Sequence, residues 1–165
     1  MKYHFERILA FDVHPLSFGF AVLEGSDHFI DWGVRSFRKG VNAVKVPMHE
    51  KVALLIDEYQ PGRILVLKRK TSISFQLRVI AKAARARRVP IHALSRESVW
   101  REFPDAHNKH EIALAIASRL PILSPYIPPK RKSWKPEHYR MSMFTAAAIG
   151  LSHFDRTVLR DRSHI

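Results

Sequence analysis

Asp12 is the residue of this chain best placed to do chemistry. It closes the apolar run Ile8-Leu-Ala-Phe-Asp12, and a second run, Phe18-Gly-Phe-Ala-Val-Leu-Glu24, follows at once. A carboxylate at the tip of a strand is a hard oxygen ligand for a divalent cation, and a cation held there can activate water or steady a leaving oxygen. His14, two residues from Asp12, is the candidate for a substitute ligand or base. Asp12 also suits a purely structural role, capping the link at 14–17 as a turn-forming residue. His107, His110 and Glu111 lie close together, but their spacing matches no zinc motif and the chain has no Cys. A Gly-rich phosphate loop and a Gly-x-Ser-x-Gly elbow are both missing, which leaves NTPase and serine-hydrolase chemistry without support.

The charge points to a polyanion. The net charge is +13 over 165 residues, with a pI near 10.5. So basic a chain suits nucleic acid better than a membrane surface, because the cations do not lie along one long amphipathic helix. Between Tyr59 and Arg96 there is no acid but ten Lys or Arg, including Lys68, Arg69, Lys70, Arg78, Lys82 and Arg85. Between Ile112 and Phe154 the sole acid is Glu137. If these two stretches fold together, one surface is broadly positive. The second stretch holds Lys130, Arg131, Lys132, Trp134 and Lys135 in a Pro-rich segment, 120–136. Trp134 there could stack on an exposed base or pin the segment to the core. The lack of Cys, of a signal peptide and of any long apolar run predicts a cytoplasmic protein with no membrane partner.

These residues need a scaffold, and the sequence outlines one. Apolar residues make up 46%, enough for one globular domain over 1–154, followed by a charged tail at 155–165. Segments 7–13, 18–24 and 28–38 read as an antiparallel meander. Residues 42–58 carry a helical period that Pro61-Gly62 stops. Ile64–Leu67 reads as a central strand buried on both faces and parallel to the first. Helix is expected over 74–88, strand over 89–94, and helix over 96–103, 109–120 and 139–154. Arg78, Lys82 and Arg85 form a basic stripe opposite the apolar face of the second helix. Five prolines forbid a helix in the 120–136 segment. The outcome is an α/β fold with a mixed five-stranded sheet and helices on both faces.

That order of elements is the ribonuclease H-like fold, and the local sequence resembles the RuvC-type Holliday junction resolvases. Ile8-Leu-Ala-Phe-Asp-Val-His-Pro-Leu-Ser-Phe-Gly-Phe-Ala-Val22 is similar to the family's opening hairpin. Ile56-Asp-Glu-Tyr-Gln-Pro61 resembles the end of its first helix, and segments 81–91, 96–101, 108–120 and 146–153 fit later elements. The resemblance implies crossover junction endonuclease activity through four carboxylates holding two divalent cations, with a homodimer presenting two sites to a four-way junction. Asp12 matches the first acid. The other three positions fall on Leu67, Ser142 and Thr145, and Lys68 follows Leu67. The family's basic residue in a later helix is matched by Lys109.

The expectation is therefore a RuvC-like protein that binds branched DNA, has lost most of its metal-binding acids, needs no cofactor and does not cut. One alternative is an active Mg²⁺- or Mn²⁺-dependent endonuclease whose missing acids are replaced by His14, Glu50, Asp105 or Glu111. Another is an RNA- or ribonucleoprotein-associated module.

Overall fold

A computed structural model describes residues 6–39, 41–68 and 74–163, except for the side chains of 41–44, 158, 159, 161 and 162. Strands β1 (Arg7–His14), β2 (Ser17–Glu24) and β3 (Phe29–Ser36) form the expected meander. Helix α1 (Val41–Tyr59) leads to β4 (Arg63–Leu67), and α2 (Ser74–Ala86) to β5 (Ile91–Leu94). Helices α3 (Arg96–Trp100), α4 (Lys109–Arg119) and α5 (Met141–Arg162) complete the chain. The sheet order is β3-β2-β1-β4-β5, with β4 parallel to β1 and β5 parallel to β4. The central apolar run thus lies where continuous hydrophobicity predicts, covered on both faces.

The pleat divides the core in two. Leu9, Phe11, Phe20, Val22 and Val66 pack under α1 and α2 through Met48, Val52, Ile56, Val79 and Ile80. Ile8, Ala10, Ala21, Leu65 and Leu67 face the other way, under α3, α4 and α5. Phe11 and Phe18 meet edge to face with centroids 5.1 Å apart, a favoured aromatic geometry. The Thr145-Ala-Ala-Ala148 run of α5 is buried, as small residues at a helix–sheet contact should be.

Two sequence expectations change. The 120–136 segment holds a 3-10 turn, Pro121–Tyr126. Proline disrupts an α-helix interior, but here Pro121 opens the turn, where an amide hydrogen would be unpaired anyway. The last helix does not stop at Phe154 but continues through the charged 155–162 stretch. Arg119 and Arg156 hold that extension to the body, pairing with Asp155 at 3.0 Å and Glu102 at 3.5 Å. Interaction with neighbouring elements overrides weak local propensity there. Residues 155–162 are therefore helix and not a fraying tail.

At the end of the sheet where β1 begins, Glu6 accepts from Arg63 at 2.9 Å and lies 3.2 Å from His153 of α5. Burial lowers the His153 pKa below that of a free imidazole, against the opposing pull of Glu6. The unfolded chain therefore binds a proton on this residue more readily than the folded one. Stability should fall as pH drops below about 6.5 and level off below the folded value. Thermal melts of wild type and His153→Gln across that window should converge on acidification. Parallel pH profiles would refute this role for His153.

Candidate nucleic-acid interface

The parallel strands β1, β4 and β5 all end on one side of the molecule, and Asp12 sits there. It is fully buried, and its Oδ2 lies 2.7 Å from His14 Nε2. Alternation along β1 sends both side chains to the α5 face of the sheet. Across the hairpin Asp12 is in register with Gly19. A Cβ on Gly19 would stand 2.2 Å from the Ser142 carbonyl carbon. Glycine therefore lets the first turn of α5 rest on β2, and the Ser142 hydroxyl donates to the Asp12 carbonyl oxygen at 3.2 Å. Phe11 pairs with Val66, which brings Leu67 beside Asp12.

Leu67 and Ser142 thus lie beside Asp12, with Thr145 one helical turn beyond Ser142, and all three are at most 6% exposed. Their chemistry does not fit two Mg²⁺ ions. The leucine side chain offers no oxygen, and the neutral Ser142 and Thr145 hydroxyls are weak ligands beside a carboxylate. Nor do the substitute acids assemble. Glu50 is on α1, across the sheet. Asp105 and Glu111 border a separate cleft with Glu102 and Arg119. Glu111 accepts the His107 amide at 2.5 Å, and its own amide is capped by Asn108 at 2.9 Å. Among the described residues, no three His, Asp or Glu are grouped to hold a metal.

The cations are arranged differently from the single surface expected. Arg78, Lys82 and Arg85 are exposed on α2, as the stripe predicts, but α2 covers the α1 face of the sheet. Lys130, Arg131, Lys132 and Lys135 are exposed on the connection before α5, on the opposite side. The α2 stripe and the 130–135 cluster therefore lie on different sides of the sheet, and the two acid-free stretches meet only through Arg96, which shares a cleft with Lys130 and Arg131. Lys68 is exposed at the end of β4, between them. Arg69 and Lys70 lie outside the described residues. Lys109 is half-buried and bonded to Glu137 at 2.8 Å, so its charge is partly answered within the protein. Trp134 is 76% exposed, with Lys132 Nζ 5.5 Å from its ring centre. It does not pin the loop to the core.

Ion pairs gather at the other end of the sheet and helices. Arg7–Glu24 at 2.6 Å, Arg63–Glu6 at 2.9 Å and Arg87–Asp57 at 2.6 Å lie where β1 and β4 begin. The Arg87 hydrogen bond lowers the pKa of the Asp57 carboxyl. At the Asp12 end, Lys68, Lys130, Arg131, Lys132, Lys135 and Arg140 have no acid partner among the described residues. Helix α5 also points its amino terminus here without an acid in its first turn, adding partial positive charge. Sequence reasoning missed Arg140, together with a cleft of about 570 Å³ beside α5 that Arg96, His107, His110 and His138 help to line. Apart from the neighbours His107 and His110, those residues are far apart in the sequence, and no local spacing joins them to Arg96, His138 or Arg140.

This architecture is the fold of the RuvC-type Holliday junction resolvases, within the ribonuclease H-like class. A Thermus thermophilus RuvC in complex with a Holliday junction substrate superposes with a TM-score of 0.70 at 16% identity, covering 92% of this chain and 96% of that one. The yeast mitochondrial Holliday junction resolvase gives 0.63 at 11% identity, covering 98% and 86%. A fowlpox virus resolvase with its substrate Holliday junction DNA gives 0.52 at 12%, covering 92% and 98%. No protein-family model and no curated protein sequence matches the chain. No helix among the described residues is long and apolar enough to cross a membrane.

Proposed function

We propose that this protein binds branched DNA across the end of the sheet where β1, β4 and β5 finish, and that it does not cleave it. One observation carries the binding: Lys68, Lys130, Arg131, Lys132, Lys135 and Arg140 gather at that end without an ion pair among the described residues, alongside the Lys109–Glu137 and Asp12–His14 pairs. Phosphate contacts there would dominate affinity and make it steeply salt-dependent. Trp134, exposed beside Lys132 and Lys135, is placed to stack on an unpaired base at a branch point. The likeness to resolvases solved in complex with Holliday junctions supports a four-way junction as the substrate class. In this reading the protein acts as a homodimer in the cytoplasm, each copy presenting one such end.

The absence of cleavage follows from Leu67, Ser142 and Thr145. Two-metal hydrolysis needs several carboxylates around the scissile phosphate, and these positions supply none. The Asp12–His14 contact is the one feature that favours residual cutting. A labelled four-way junction incubated with Mg²⁺ or Mn²⁺ should be shifted but left intact, by wild type and Asp12→Asn alike. Metal-dependent products that disappear in Asp12→Asn would establish an active endonuclease instead. Gel shifts against duplex and structured RNA complete the test, and a preference for RNA would overturn the assignment to DNA.

A further inference from the structure

The geometry points to a second binding function at this end of the molecule: the cleft beside α5 takes a single nucleotide by its phosphate monoester. This rests on the reading of the sheet's end as facing nucleic acid, but concerns a ligand of another shape. The cleft, about 570 Å³, lies between the starts of α4 and α5 and the 128–131 stretch. That volume is typical of a small-ligand site and admits one nucleotide, not a duplex.

Charge selects the ligand. Arg96, Lys109, Lys130 and Arg131 line the cleft against one acid, Glu137. The Lys109–Glu137 bond, 2.8 Å long, leaves three cations uncompensated. A phosphate monoester carries between one and a half and two negative charges at neutral pH, whereas an internal phosphodiester carries about one. Three open cations therefore suit a monoester, found on a strand end or a free nucleotide.

The cations are also held in place. Arg96 lies over the Trp100 ring, 5.1 Å from its centre, which fixes a planar donor well suited to phosphate. Pro128 and Pro129 stiffen the backbone that carries Lys130 and Arg131, reducing the ordering that binding requires. His110 also lines the cleft, from the first turn of α4. Met141 supplies an apolar surface for a base.

Fluorescence anisotropy with short thymidine oligonucleotides carrying a 5′-phosphate, a 3′-phosphate or neither tests the proposal. One phosphorylated end should bind about tenfold tighter than the unmodified strand, a gain typical of charge-assisted contacts. Lys130→Ala/Arg131→Ala should abolish that ratio, whatever it does to overall affinity. Competition by thymidine monophosphate with no end preference would also support the site and assign it to a free nucleotide. Equal binding of all three strands, no competition, and a junction still shifted in the same buffer would overturn the cleft and leave the interface standing. A preference that survives in the double variant would overturn it as well. Failure to bind any nucleic acid or nucleotide would remove both.

Discussion

Gly19→Ala is expected to destabilise the protein by about 3 kcal/mol or more, near the top of the range for overpacking a core. In a chain of this size that lowers the melting temperature by roughly 6–12 °C. The reason is what stands in the way. The new Cβ would lie 2.2 Å from the Ser142 carbonyl carbon, 2.3 Å from its oxygen and 2.5 Å from the Met143 nitrogen. All three are backbone atoms of a helix packed along its length, so no side-chain rotation relieves the overlap. Either α5 lifts from β2 or the hairpin bends. Gly33→Ala is the matched control. Its Cβ would meet the Phe20 ring and the Arg35 side chain at 3.1–3.4 Å, contacts that can give way, and its cost should stay near 1 kcal/mol or below. Equal melting temperatures for the two variants would refute the close approach of α5.

Removing cations from the end of the sheet should have the largest effect on binding. In Lys68→Ala/Lys132→Ala/Arg140→Ala, three positive charges without acid partners are lost. If each meets a phosphate, the slope of log affinity against log salt falls by about 2–3, and affinity at low salt falls on the order of a hundredfold. Arg78→Ala/Lys82→Ala/Arg85→Ala removes the same charge from α2, on the other face of the sheet. Its slope should change by less than about 1. Titrations of a four-way junction at several salt concentrations separate the two. A larger loss from the α2 variant would move the interface to that helix.

The sequence announced the sheet more clearly than the surface. Ile64–Leu67 was recognisable as a central parallel strand because burial on both faces removes polar alternation. The hairpin around residues 14–17 was visible because Pro15 interrupts two apolar runs. Which face each helix covers is a property of crossover connections, so the α2 stripe and the 130–135 cluster looked contiguous when they are not. Lys109 looked available because its partner, Glu137, is 28 residues away. Gly19 did carry a signal, since glycine inside an apolar strand marks a close backbone approach, but nothing local named α5 as its neighbour. The helical reach of 155–162 depends on ion pairs to α4 and the turn after α3, which no local pattern encodes.

The tight seat of α5 on the hairpin also bears on how such a site can change over time. Leu67 and Ser142 are enclosed beside Asp12, with Thr145 buried one helical turn beyond Ser142. A carboxylate arising at just one of them would be buried close to the Asp12 carboxyl group, with too few ligands to recruit two metals. Such a group is costly while ionised and useless while protonated. A first carboxylate at any of these positions therefore lowers stability before it can add activity, so the packing resists acids introduced one at a time.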